Sequence, residues 1–245
     1  MAMKKKSKII SIVCVVLLVS LVVVANIWRS RSLVRDIRVD IDYQGAEELV
    51  KATQVSKLVL AELPDLKSTM LRDVDLKAVE KAAVKSPYLS KCEAGTSIGG
   101  AIVLYAVQRR PVVRVCAKGE EYYLDDQGCR VPISKVGSCD VVVASGNIPS
   151  KGDKLKEVWS LAMYLDSHPD VSPLFDQIYR DENGDLFLTP KLGNHVVQVG
   201  SANDLDEKFH NLIALYTRGL PQAGWETYSQ VSVKYRGQVV CTKRK

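Results

Sequence analysis

The sequence predicts an α+β protein: a single N-terminal transmembrane helix, then a β-α-α-β-β module, then a mostly antiparallel β domain with two packed helices. Three observations carry this. The run "IISIVCVVLLVSLVVVANIW", Ile9 to Trp28, contains no charge and is flanked by lysines and arginines. Over residues 36–110, period-two alternation and helical spacing succeed one another in the order strand, helix, helix, strand, strand. Beyond residue 110, short β-prone runs dominate and are broken twice by helical spacing.

The apolar run matches the ~20 residues that a helix needs to cross a hydrocarbon core, where only a helix or a closed barrel satisfies every backbone group. Trp28 sits where an interfacial aromatic would sit. A cleaved signal peptide is the competing reading, with Val23 to Ala25 as a weak cleavage site. The run exceeds the ~7–15 residues usual for such a segment, and Arg29 and Arg31 follow at once, which favours an uncut anchor. Charge on the two flanks is nearly balanced; a long following domain points to a cytoplasmic N-terminus (residues 1–8) and an external C-terminal part.

The net charge of +6 comes from this flank. Residues 1–35 hold seven of the 34 basic residues and none of the 28 acids, so the remainder is close to neutral. That argues against a nucleic-acid footprint. Of the six cysteines, Cys14 falls in the apolar run, leaving Cys92, Cys116, Cys129, Cys139 and Cys241. No C-x-x-C pair occurs, which argues against a redox or zinc motif. Cys129 and Cys139 either bridge in an oxidising compartment or stay as free thiols; spacing alone leaves both open.

Taken in order, "IRVDIDY" (Ile37 to Tyr43) alternates as a half-buried strand. Val55, Leu58, Val59 and Leu63 mark a short helix stopped by Pro64. A second helix follows Asp75 as N-cap, with Leu76, Val79 and Ala83 on one face, and ends near Ser86 before Pro87. "YLSKCEA" and "AIVLYAVQ" form a hairpin. In the second part, residues 111–242, strands are expected at Val112–Val115, Tyr122–Leu124, Arg130–Ile133, "DVVVAS", "DQIYR", "DLFLT" and "HVVQVG". Gly128 takes a positive φ in the "DDQG" turn, and Asn183–Gly184 makes a type I′ hairpin turn. Leu155, Val158, Leu161, Ala162 and Leu165 mark one helix. Leu205, Phe209, Leu212, Ile213 and Tyr216 mark another, opened by a capping box at Ser201 and Asp204 and ended by Gly219 and Pro221. "YSQVSVKYRGQVVC" closes as a hairpin, with Thr242 to Lys245 frayed and 243–245 a disordered tail.

Catalytic chemistry finds little support. His168, His195 and His210 stand in no nucleophile or H-E-x-x-H pattern. "DENGD" lacks the glycine and glutamate of a calcium loop, since Leu186 and Leu192 occupy those positions. Glu120–Glu121 and Asp125–Asp126 are adjacent, so on a strand their side chains point to opposite faces. The final hairpin is the more informative feature, because an unpaired sheet edge can accept a partner's strand.

The layout resembles the FtsQ/DivIB family of bacterial cell-division proteins, in a Bacteroidetes-like form. The resemblance rests on the basic terminus with one span, "SPYLSKCEA" before the hairpin, "VQRRPVVRV", "EEYYLDDQGCRVPIS", "KFHNLIALY" followed by Gly224–Trp225, and "VSVKYRGQVV". It implies a POTRA domain over 36–110 and a β domain over 111–242. It implies no enzyme activity, no catalytic residue, no metal and no cofactor, and no nucleic-acid or small-molecule substrate. The expected role is a bitopic inner-membrane scaffold at the division septum. It would recruit FtsB- and FtsL-type partners, help control septal peptidoglycan synthesis, and meet the membrane through Ile9 to Trp28. The implied partner-binding residues are Lys234 and Tyr235 on the penultimate strand and Gln238, Val239 and Val240 on the last. A POTRA-bearing chaperone or assembly factor for outer-membrane proteins is the alternative, with localisation in dividing cells to separate the two.

Overall fold

The computed structural model describes residues 14–21, 33–97 and 99–245. The expected spanning helix over Ile9 to Trp28 is corrected here: among the described residues no helix is long and apolar enough to cross a membrane. The described part of that run is helical over 14–21. The rest of the run lies outside the described residues.

The chain divides into two units. One ends at Gln108; the other takes Gly45–Leu49 together with Arg109–Lys245. The first is built from β1 (Asp36–Asp42), α1 (Ala52–Glu62), α2 (Leu76–Val84), β2 (Leu89–Thr96) and β3 (Ala101–Gln108). The sheet order is β1-β3-β2, with β1 parallel and β2 antiparallel to β3. Alternation decides the faces. Ile37, Ile41, Ile102, Leu104 and Ala106 point into the core with Val55, Val59, Val79 and Ala83 from the two helices. Tyr105, between two inward residues, stays exposed on the opposite face. Asp75 caps α2 as its sequence position demands, its carboxylate accepting from the Ala78 amide at 3.1 Å. Pro64 cannot continue α1 and opens a 3-10 turn, Pro64–Ser68, instead.

The second unit holds β4 (Pro111–Ala117), β5 (Glu120–Asp125), β6 (Arg130–Pro132), β7 (Val142–Gly146), α3 (Asp153–Ser167), β8 (Phe175–Arg180), β9 (Leu186–Pro190) and β10 (Val196–Gly200). α4 (Leu205–Ala214), a π turn (Leu215–Gly219), α5 (Leu220–Ala223), β11 (Tyr228–Ser232) and β12 (Val240–Lys243) follow. They form a nine-stranded sheet in the order β12-β11-β10-β9-β8-β7-β4-β5-β6. Three of its pairings, β4 with β7, β7 with β8 and β10 with β11, are parallel, so the sheet is mixed. Two of these follow from the helices: a strand that returns through α3, or through α4 and α5, arrives running the same way. Both long helices cover one face. Val158, Leu161 and Leu165 of α3 and Phe209 and Leu212 of α4 share one core with Val113, Val115, Ala144, Ile178, Leu188, Val197 and Val231 of the sheet.

The turn after β5 is organised by one buried carboxylate. Asp125 is 1% exposed and accepts from the Arg109 guanidinium at 2.7 Å and from the Gln127 and Cys129 amides at 3.0 and 2.7 Å. Its carbonyl accepts from the Trp159 indole at 2.9 Å, which ties the turn to α3. Gly128 takes φ +72° there, as expected. The type I′ geometry expected at Asn183–Gly184 occurs elsewhere: Lys118 and Gly119, between β4 and β5, both have positive φ. At Asp181–Asp185 only Gly184 does, because the Asp181 carboxylate takes the Gly184 and Asp185 amides, both at 2.7 Å, and holds a wider turn. The capping box at Ser201 is likewise absent. Asp204 is the N-cap with no side-chain bond, and the Ser201 carbonyl is taken by the buried Lys208 ammonium at 2.7 Å. Helical structure runs past Gly219 and Pro221, which opens α5, and stops at Gly224, φ +89°.

All six cysteines are free; Cys92 and Cys139 are buried and Cys129 is exposed.

Candidate partner-binding edge

β12 is one margin of the nine-stranded sheet and pairs with β11 alone among the described strands. The register runs Ser232 with Val240, Val231 with Cys241, Gln230 with Thr242 and Tyr228 with Lys243, with a bulge between Tyr228 and Gln230. Beyond the strand the Arg244 amide donates to the Thr227 carbonyl at 3.0 Å, and the Ser229 hydroxyl donates to the Thr242 carbonyl at 3.3 Å. Backbone groups of successive strand residues point to opposite sides. With Thr242 and Arg244 turned toward β11, the N–H and C=O groups of Cys241 and Lys243 face outward. They form the unpaired ladder of an edge.

The residues expected to meet a partner fall mostly outside the strands. β11 ends at Ser232, so Lys234 and Tyr235 lie in the connection rather than on the penultimate strand. Gln238 and Val239 precede β12, and Val240 opens it. The connection therefore spans residues 233–239. It is tethered at two points. The Lys234 ammonium binds the Asp185 carboxylate at 2.7 Å, which raises its pKa, while its stem lies over Gly200. A Cβ on Gly200 would meet the Lys234 Cγ at 2.7 Å, and φ is +74° there, so glycine is required. Arg236 pairs with Glu207 of α4 at 3.3 Å, and the same carboxylate accepts from the Gly237 amide at 3.0 Å.

Between these tethers Tyr235 is 53% exposed and Val240 is 45% exposed, whereas Val239 and Cys241 pack on the core. The hairpin thus offers an aromatic ring, a valine and an unpaired backbone on one margin. The strand residues Thr242 and Lys243 were missed by sequence reasoning, which took 242–245 as fraying; Cys241 was placed in the hairpin but not among the partner-binding residues. The β-branched and apolar run Val239 to Thr242 was the available signal.

The remaining candidates show no assembled chemistry. His168 Nδ1–H donates to the Tyr164 carbonyl at 2.7 Å and its ring stacks on that of Tyr164; His210 is exposed. Among the described residues no group of histidine, cysteine and carboxylate side chains is placed to hold a metal. Glu121 engages Arg114 at 2.7 Å and Glu120 faces Arg130 at 3.4 Å, so these acids serve surface ion pairs.

Residues 110–242 match the family described as FtsQ/DivIB, C-terminal related, a span covering more than half of the chain and reaching into β12. No curated protein matches the chain.

Proposed function

Because the chain belongs to the FtsQ/DivIB, C-terminal related family, whose members act in bacterial cell division, we propose that it is a non-enzymatic scaffold of the division septum that captures a partner's strand on β12. The partners are FtsB- and FtsL-type division proteins, and the outcome is control of septal peptidoglycan synthesis. The first unit, with its strand, helix, helix, strand, strand order, serves as the POTRA module.

One observation supports this above the others: the margin at β12 has outward N–H and C=O groups at Cys241 and Lys243 and pairs only with β11 among the described strands. Main-chain pairing supplies affinity in strand addition, and flanking side chains supply selectivity. Here Tyr235 and Val240 stand beside the ladder, both largely exposed. Lys234 reaches a partner only by leaving Asp185, which makes its contribution an exchange of one ion pair for another.

Cys241→Pro tests the reading. It removes an outward donor and leaves the β11 pairing intact, a position that an edge strand tolerates. Losing one main-chain bond costs about 0.5–1.5 kcal/mol, and the ring also obstructs the incoming strand, so capture falls tenfold or more. Thr242→Pro, which removes an inward donor, should instead unfold the hairpin. The measurement is co-purification of division proteins with the full chain, quantified by mass spectrometry, beside circular dichroism of each variant. Undiminished capture by a folded Cys241→Pro chain would sink the proposal.

A further inference from the structure

His195 stands immediately before β10 and is 2% exposed. Its Nε2 lies 2.7 Å from the Tyr216 hydroxyl, and the two rings meet edge to face at 5.5 Å. Trp225 also packs edge-to-face with Tyr216, ring centres 5.3 Å apart. The second ring nitrogen, Nδ1, is buried and has no hydrogen-bond partner. A neutral imidazole tolerates this, since one nitrogen can remain an acceptor. An imidazolium carries two N–H donors and needs two acceptors, and only the tyrosine oxygen is in reach.

The next residue back, Asn194, holds the far end of β12. Its carbonyl accepts from the Arg244 guanidinium at 2.6 Å, and its side-chain amide donates to Glu226 at 2.8 Å. The Arg244 amide then closes on the Thr227 carbonyl. The charged and titratable groups facing His195 are therefore Tyr216 from the π turn, Glu226 from the segment before β11, and Arg244 from the flank of β12. Glu226 favours a charged ring and Arg244 opposes it.

We infer that protonation of His195 releases the Arg244 end of β12, making the sheet margin acid-labile. The new charge sits beside Arg244 with no second acceptor. The relief available is for the Asn194 to Arg244 clamp to open, and Lys243 and Cys241 then lose their fixed register. This concerns the same margin as the proposed function and rests on that reading for its biological meaning, though not for its physical test. Burial holds the His195 pKa below its ordinary value of 6.5. The clamped state thus disfavours the proton, and a loosened state takes it first as pH falls below about 6.5. The clamp strengthens with rising pH and weakens with falling pH.

Amide hydrogen exchange of the full chain without partner, read over residues 240–244 and corrected for intrinsic rates, tests this. Protection should fall several-fold, to a limit of about tenfold, between pH 7.5 and pH 5.5. His195→Gln, which can still bond Tyr216 but does not titrate, should abolish that fall. Glu226→Gln alters an exposed residue and should move the midpoint to lower pH. A pH-independent margin, an unchanged fall in His195→Gln, or an unmoved midpoint in Glu226→Gln would each overturn the inference. If partner capture is absent at both pH values while the exchange behaves as stated, the proposed function fails and the acid response stands.

Discussion

Replacing Asp125 by alanine should cost the second unit about 3 kcal/mol. The carboxylate is 1% exposed and receives three charge-assisted bonds, from Arg109 and from the Gln127 and Cys129 amides. Bonds to a charged group are worth about 1.5–3 kcal/mol each when taken singly but are not additive around one carboxylate, so the loss of the buried pair as a whole sets the scale. Breaking a buried pair ordinarily costs about 3–5 kcal/mol, but the Arg109 side chain is 22% exposed and its freed guanidinium can reach water, which selects the lower end. Asp125→Asn keeps an acceptor for the two amides and loses the charge, so it should cost about half as much. Trp159 donates to the Asp125 carbonyl at 2.9 Å, so its emission reports this turn directly. In urea titrations followed by tryptophan fluorescence, with Trp28→Phe as background, the alanine variant should unfold about 1.5 M earlier, taking a slope of about 2 kcal/mol/M. A loss under about 1 kcal/mol would show that the turn is held by its backbone bonds and that the buried carboxylate contributes little.

Other outcomes follow from single contacts. Gly146→Ala places a Cβ 2.2 Å from the Arg180 carbonyl at φ +94°, so it should lose about 3 kcal/mol, measured by the same titration. Asp75→Ala removes the cap of α2 and should lose about 1 kcal/mol in the first unit, followed by far-ultraviolet dichroism, with Asp75→Asn nearly neutral. The Cys92 thiol is pushed up to about 11 by burial, with Glu80 and Glu93 adding to it. Iodoacetamide at pH 7.5 should therefore modify exposed Cys129 and spare Cys92, and labelling of Cys92 should rise about tenfold per pH unit up to about pH 10, read by peptide mass spectrometry.

Elements with strong local signals were legible in the sequence. Asp75 and Pro64 bound their helices through a side-chain acceptor and a missing donor, and such chemistry does not depend on distant packing. The resemblance to FtsQ/DivIB proteins was borne out over 110–242. Signals that compete with a nearby side chain were misread. Asn183–Gly184 carries the strongest hairpin signature in the chain, yet Asp181 captures the amides that a tight turn would have used. Pro221 suggested a helix stop, but proline at the first turn of a helix loses only an amide that would be unpaired anyway. The parallel pairings of β7 and β10 were invisible, since periodicity shows which face is buried and not the direction of a neighbour. Gly45–Leu49 lies in the second unit, where the Ser134 hydroxyl donates to the Leu49 carbonyl at 2.5 Å; contacts this distant in sequence leave no local pattern. At the terminal hairpin the last strand was set two residues early, because Val239 is β-prone while Glu207 draws the Gly237 amide out of line.

The opposite margin of the large sheet bears on how many chains can assemble. β6 is three residues long, ends at Pro132, and its Arg130 guanidinium lies 3.8 Å from the Tyr122 ring centre. A proline offers no amide, and so short a ribbon gives an added strand almost nothing to zip onto. The sheet's two margins are therefore unlike: a three-residue strand ending in proline on one side, and the longer unpaired ladder of β12 on the other. For the large sheet a head-to-tail stack of copies, β12 against β6, has little backbone to pair on; a β12-to-β12 contact would be two-fold and self-closing.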